Sequence, residues 1–328
     1  LISLTPIRAW IINSIPRSLK FGIGAGIGLF LAIIGLEIMG VVVDHPVTLV
    51  TLGNLKEPIV FLGCLAFVTM IVLEKIKVGF ISKANIIIGI LVVAIIGMVT
   101  GLAKAPSAIV SLPPDPSPTF LALDLAGFFD LAVATILVLL LSFLLVDMFD
   151  TAGTLIGLGH QAKMLDKDGN LPNIGKALVA DSSATVAGAA FGTSPTTSYI
   201  ESASGIRAGG RTGLTAVAAA CLFLLALFFA PLATSIPGFA TAPAIVFVAC
   251  MMARGLAEID WDDVTEFVPA VITALMMPLT FSIAIGIGMG FLAYVAIKAC
   301  SGRLSDISTA MWVVSATFLI YFLRTIIF

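Results

Sequence analysis

The chain has 328 residues, of which 59% are hydrophobic and 11% are charged, and its formal net charge is −2 at pH 7. Such a chain is too apolar to be a soluble monomer. Its scattered Lys and Arg form no basic face for a nucleic acid, so we expect an integral protein of the lipid bilayer without a nucleic-acid partner.

Apolar runs of about 17 to 25 residues, the length that crosses the hydrocarbon core, recur along the whole chain. They predict helices at residues 18–41, 57–74, 84–103, 130–158, 174–191, 212–233, 238–257, 264–299 and 308–327. The stretch 264–299 is too long for one crossing. Pro278 and the glycines that follow it favour two shorter helices there, and the sequence leaves one or two membrane segments open.

Lys and Arg are concentrated in alternate connections, which predicts that those connections are cytoplasmic. The residues concerned are Arg8, Arg17 and Lys20, then Lys75, Lys77 and Lys83, then Lys163, Lys167 and Lys176. The connections around Asp44, Asp115 and Ser235 should face outward. This alternation predicts a multi-pass protein of the cell (inner or plasma) membrane.

Two carboxylates, Asp147 and Asp150, directly follow the uncharged run 131–146. A charged group at bilayer depth costs roughly 2.5 to 3.5 kcal/mol and usually marks a functional site. Their spacing places both on one face of a helix. Asp150 has a second interpretation, as the N-cap of a helix that begins at Thr151.

A second polar stretch, residues 191–205, interrupts two helical runs with hydroxyl residues and Pro195. Extended backbone within a membrane is tolerated where it lines a cavity or is covered by protein. A helix beginning near Ser198 would direct its N–H groups to that cavity and would carry Glu201 near its start. The alternative is a polar loop with Glu201 as a capping residue. Asp181, just before this stretch, either joins a polar network or caps a helix.

The segment Ser14-Ile-Pro16 with its following helix is similar to Ser235-Ile-Pro237 with its own, which suggests an internal repeat. Duplicated halves are typical of secondary transporters. If the two copies have equivalent surroundings, an N-terminal portion precedes this chain, and we would expect the chain without it not to transport.

Several motifs together resemble the adenine/guanine/hypoxanthine permeases, which are purine nucleobase–cation symporters. They are VDMFDTAGTLIG at 146–157, LDKDGNLP at 165–172, ADSSAT at 180–185, TSYIESASG at 197–205, AGGRTGLTA at 208–216 and ATAPAIVFV at 240–248. The resemblance covers essentially the whole chain, apart from an N-terminal truncation.

The resemblance implies an all-α polytopic fold of fourteen segments in two inverted repeats of seven, with a short midplane strand followed by a half-helix. It implies three regions: gate-domain helices of the first repeat at 1–125, core-domain helices with the substrate site at 126–235, and gate-domain helices of the second repeat at 236–328. It also implies that Asp147, Glu201, Thr197 and Ser198 bind substrate, and that Glu201, Asp150 or Asp147 carries the coupled proton.

We therefore expect proton-coupled uptake of a purine nucleobase by alternating access, with the base and protons as partners. We expect no enzymatic activity, no cofactor and no metal, and a homodimer stays open. One alternative is a uracil, xanthine or anion carrier of the same fold. Another is an intramembrane aspartic hydrolase, because Asp150-Thr-Ala-Gly153 is similar to the Asp-Thr-Gly loop of aspartic proteases, although only one such loop is present.

Overall fold

The computed structural model describes residues 7–76, 84–131, 133–167, 170–199 and 201–327. Five of the described helices are long and apolar enough to cross a membrane, namely Arg17–Ile38, Pro58–Lys75, Gly213–Thr234, Gly238–Glu258 and Ile283–Cys300. The helices are α1 (Ile7–Asn13), α2 (Arg17–Ile38), α3 (Pro58–Lys75), α4 (Asn85–Val99), α5 (Leu125–Phe129), α6 (Val133–Gln161), α7 (Ile174–Ala190), α8 (Ser202–Ala208), α9 (Gly213–Ala226), α10 (Ala230–Thr234), α11 (Gly238–Met252), α12 (Val264–Thr280), α13 (Ile283–Cys300) and α14 (Thr309–Ile327).

The apolar runs form helices where the sequence predicts them, and most of their ends lie within about one turn of the predicted ones. The predicted helix at 212–233 is divided into α9, a 3₁₀ turn at Leu227–Phe229 and α10. None of the residues of α9 is buried, although the helix is apolar throughout. A helix that is apolar all round and covered by no protein is suited to face lipid.

The run 264–299 forms two helices, α12 and α13, as the sequence favoured. The break lies at Phe281, which adopts a left-handed conformation with φ 48°, and at Ser282, whose side chain accepts from the Ile285 N–H over 3.3 Å. The two helices pack so closely that a Cβ at Gly290 would overlap Thr273. Buried Lys298, near the end of α13, pairs with Glu266 near the start of α12 over 2.8 Å.

A β-hairpin that the sequence reading missed follows α2. Its strands are β1 (Val42–His45) and β2 (Leu49–Leu52), antiparallel with His45 opposite Leu49. The His45 ring nitrogen Nδ1 accepts from the backbone N–H groups of Val47 and Thr48 over 3.3 and 3.2 Å, which closes the turn. The side chains of β1 and β2 are exposed or half-buried.

The chain divides into two compact units. Unit 1 contains Leu1–Phe30, Pro116–Ile200 and Met252–Phe328, and unit 2 contains Leu31–Asp115 and Glu201–Met251. These limits differ from the predicted regions 1–125, 126–235 and 236–328, and the assignment of gate and core domains stays a prediction.

An apolar cluster in unit 1 joins α6 to α7 and thereby positions the polar residues beside it. Ala152 and Ile156 of α6 pack with Ile174 and Leu178 of α7, and all four are buried. Because Thr151 adjoins Ala152 and Asp181 lies about one turn beyond Leu178, this packing brings the Thr151 and Asp181 side chains together.

Candidate functional site

The polar residues of α6 follow one another along one face of the helix. Asp147, Thr151 and Thr154 recur at intervals of three or four residues, and Asp150 borders them. Thr151 and Thr154 are buried, and the two aspartates are half-buried. Asp150 lies within electrostatic range of both Asp147 and Asp181. Three acids therefore occupy a small region of unit 1.

The interpretation of Asp150 as an N-cap is wrong, because α6 runs without interruption from Val133 to Gln161. The apolar residues on both sides keep the helix continuous, so Asp150 is in its interior. For the same reason Asp150-Thr-Ala-Gly153 is helical and is not a protease-like loop, which removes the geometric basis of the hydrolase alternative.

Asp181 is the centre of a polar network in unit 1, so it does not cap a helix. It lies inside α7, and only 6% of its surface is exposed. Its Oδ2 accepts from the Thr151 hydroxyl over 2.9 Å, and its Oδ1 accepts from the N–H and the hydroxyl of Ser198 over 3.0 and 3.1 Å. Sequence reasoning left this role open because the two partners are distant in the chain.

The stretch 193–199 is neither helix nor strand, so the predicted short strand is not formed there. A strand needs a neighbouring strand for its hydrogen bonds, whereas here side chains bind the backbone. The Thr185 hydroxyl donates to the Thr196 carbonyl over 2.7 Å, and Asp181 accepts from the Ser198 N–H. The stretch is thus held against α7 at two points.

Thr197 lies between these two points and reaches α6. Its hydroxyl is 3.1 Å from the hydroxyl of Thr151. Thr197 and Ser198 are both half-buried. The structure therefore brings the predicted residues Thr197 and Ser198 together with Thr151 and Asp181, two residues that the sequence reading did not assign to the substrate.

Glu201 directly precedes the short helix α8, later than the helix start that was expected near Ser198. Its side chain is exposed and makes no capping hydrogen bond, while its carbonyl accepts from the Ser204 hydroxyl over 2.7 Å. Glu201 belongs to unit 2, whereas Asp147, Asp150 and Thr197 belong to unit 1.

Unit 2 contains a polar pocket that the sequence reading missed. It is lined by Glu74, Asn85, Ile86, Ser204, Arg207, Ala208 and Phe247. Arg207, at the end of α8, forms an ion pair with Glu74 of α3, and buried Asn85 donates to the other Glu74 oxygen over 2.9 Å. Arg207 is therefore part of an ordered polar cluster, beyond the interfacial role that its position in the sequence suggests.

Among the residues that the structure describes, no group of three or more His, Cys, Asp or Glu side chains is arranged to hold a metal ion. The polar side chains of unit 1 offer hydroxyl and carboxylate oxygens, which bind polar organic molecules through hydrogen bonds.

Comparison with known proteins gives consistent matches over most of the chain. The profile of a family described as a permease family matches residues 1–287. A putative permease of Methanocaldococcus jannaschii is 48% identical over 323 residues, which are 98% of this chain and 72% of that protein. The adenine permease AdeQ of Escherichia coli is 45% identical over 97% of this chain and 70% of its own length.

A third relative is named for different substrates. The guanine/hypoxanthine permease PbuG of Bacillus subtilis is 41% identical over 324 residues, which are 98% of this chain and 72% of that protein. With the family match and the apolar helices, these similarities show that the chain belongs to this permease family and is a multi-pass transport protein of the plasma membrane.

Proposed function

We propose that the protein takes up the purine nucleobases adenine, guanine or hypoxanthine. The relatives that it matches over nearly its whole length include adenine and guanine/hypoxanthine permeases. The observation that carries the proposal is the network in which Asp181 holds Ser198, and Thr151 holds Thr197, beside the acidic face of α6. Hydroxyls and carboxylates on an ordered, non-helical backbone suit a small, flat ligand with several N–H groups.

In this proposal Asp147, Thr197, Ser198 and Glu201 bind the base. A purine carries ring N–H and amine donors beside ring-nitrogen acceptors. An ionised carboxylate accepts from such donors, and a hydroxyl can accept or donate. Asp181 and Thr151 act as positioning residues, because they hold Thr197 and Ser198 in place.

Uptake is coupled to protons in this proposal, with Glu201, Asp150 and Asp147 as the candidate carriers. The acids near Asp150 repel one another when all are ionised, and a proton on one of them relieves the repulsion. If binding of the base changes the distances between these acids, it also changes their affinity for a proton, and the two binding events are coupled. The proposal includes alternating access within the predicted fold of two inverted repeats.

The acidic face also favours a neutral or cationic substrate over an anion. Asp147, Asp150 and Asp181 would repel an anion, which disfavours the anion carrier. A uracil or xanthine carrier has the same chemistry and is separated by experiment. Uptake of labelled hypoxanthine by membrane vesicles that contain the protein should be inhibited by unlabelled adenine, guanine or hypoxanthine and only weakly by uracil and xanthine. Strong inhibition by uracil or xanthine alone would overturn the proposal.

A further inference from the structure

We infer that Thr197 is a specificity-determining hydrogen-bond acceptor, so that the site selects bases that present an N–H group to its hydroxyl oxygen. This inference rests on the proposed function and assigns a direction to hydrogen bonds within that binding site. It follows from the direction in which the hydroxyl protons of Thr151 and Thr197 are donated in the series Asp181, Thr151 and Thr197.

Asp181 fixes the direction at one end of this series. Its two oxygens receive three donors: the Thr151 hydroxyl on Oδ2, and the N–H and hydroxyl of Ser198 on Oδ1, all within 2.9 to 3.1 Å. A carboxylate has no proton of its own, so Asp181 in this form accepts at all three contacts.

The donor role of Thr151 toward Asp181 also determines the direction of its hydrogen bond with Thr197. A threonine hydroxyl has one proton, and that of Thr151 is directed to Asp181. Thr151 can therefore only accept in its 3.1 Å contact with Thr197. No solvent reaches Thr151, which is 0% exposed, so water does not offer it another partner. The Thr197 hydroxyl proton must point to Thr151.

Thr197 then has only lone pairs left for a ligand. It forms no further hydrogen bond with the residues that the structure describes, and it is half-buried. The neighbouring Ser198 hydroxyl can likewise only accept from a ligand, because its proton is directed to Asp181. The segment thus offers two acceptors in succession. A ring N–H or an exocyclic amine matches them, whereas a carbonyl or an unprotonated ring nitrogen does not.

A base that lacks the matching N–H leaves the Thr197 oxygen without a partner in a partly dehydrated site. Sites that hydrogen-bond a substrate group discriminate strongly against analogues without it. A net hydrogen bond is worth about 0.5 to 1.5 kcal/mol, which corresponds to roughly a twofold to tenfold preference.

The test uses pairs of bases that differ in one N–H group, as competitors of labelled adenine or hypoxanthine in vesicles that contain the protein. The pairs are adenine with purine, guanine with hypoxanthine, and hypoxanthine with 1-methylhypoxanthine. The unmodified protein should prefer the N–H member of at least one pair. Thr197→Val should abolish that preference, and Thr197→Ser, which keeps the hydroxyl, should retain it. Thr185→Val is the control: it removes a backbone tether and should weaken both members equally.

Asp181→Asn provides a second, independent variant. Its amide nitrogen, at the position of Oδ2, would donate to Thr151, so Thr151 would donate to Thr197 and Thr197 could donate to the ligand. The preference should then shift toward the member that lacks the N–H. If purines compete but Thr197→Val and Asp181→Asn leave every ratio unchanged, the inference is wrong and the proposed function stands. If no purine competes at all, the proposed function fails, and the inference with it.

Discussion

The hydroxyl of Thr151 donates to Asp181 over 2.9 Å and joins α6 to α7 where both helices are buried. This bond lies beside the apolar cluster that contains Ala152 and Leu178, so packing and hydrogen bonding fix the same helix pair. The non-helical stretch 193–199 is held on that pair through Ser198.

Thr151→Val should destabilise the protein and weaken substrate binding. The valine has nearly the same volume but no donor, so it leaves Oδ2 of a buried carboxylate unpaired, at a cost of about 1 to 3 kcal/mol. Thermal unfolding in detergent and competition by unlabelled base measure the two effects. Thr154→Val is the matched control, because Thr154 is buried on the same face without a bond to Asp181. Equal losses in both variants would contradict the role of Thr151.

Glu201→Gln should retain exchange of base for base and lose accumulation driven by a proton gradient. An amide keeps the size of the acid and, like its protonated form, can donate and accept hydrogen bonds, but it cannot take up or release a proton under these conditions. Uptake with and without an imposed pH gradient, compared with exchange in preloaded vesicles, separates the two activities. Accumulation with unchanged pH dependence would exclude Glu201 as the proton carrier, and Asp150→Asn would be the next variant to measure.

Reversal of the charge at Arg207 or Glu74 should reduce uptake, and the exchange of both charges should restore much of it. Each single reversal places like charges together, whereas Glu74→Arg with Arg207→Glu restores an ion pair between α3 and α8. Exposed pairs contribute about 0.2 to 1 kcal/mol, so the coupling between the two sites should be of that order. Arg211→Glu is the control, since the hydrogen bonds of Arg211 to described residues go to the backbone carbonyls of Ile206 and Gly210. No recovery in the double variant would rule out a direct pair.

Asp263→Asn should lower stability at neutral pH and have little effect in strong acid. The hydroxyl and N–H of Thr265, followed by Arg303, lower the pKa of Asp263 from 3.8 to about 2. A lowered pKa in the folded state stabilises the protein above the unfolded value, and this contribution is lost as the pH falls from about 4 toward 2. Asparagine is also a good N-cap, so the helix start is retained. Unfolding of both proteins between pH 7 and pH 2 measures the difference, which should disappear at the acidic end.

The sequence predicts the membrane helices because length and apolarity decide their existence, and these properties are local. The position of the break within 264–299 could not be predicted as well from the sequence. Pro278 and Gly286 are both inside helices, and the chain turns instead at Phe281 and Ser282, where a serine cap begins α13. The β-hairpin was missed, although β-branched residues on both sides of His45-Pro46 are typical of paired strands.

The polar network of unit 1 was only partly predictable. Asp147 and Asp150 are noticeable because they follow an uncharged run. Asp181 depends on Thr151, which is 30 residues earlier, and on Ser198, which is 17 residues later. No local pattern relates such positions, since the packing of α6 on α7 brings them together. The Arg207–Glu74 pair is a similar case, with partners 133 residues apart.

The break at Phe281 also determines whether residues 264–300 cross the membrane once or twice, and therefore on which side the following residues lie. α12 and α13 contain 17 and 18 residues, and at about 1.5 Å per residue each is just short of a hydrocarbon core of about 30 Å. Two antiparallel helices that enter and leave the membrane on the same side have both flanking connections on that side. The ion pair of Lys298 with Glu266 joins the end of α13 to the start of α12. Counting this region as one span would place α14 in the inverted orientation. A label attached at Ser301 should therefore be accessible from the same side as one attached at Asp262.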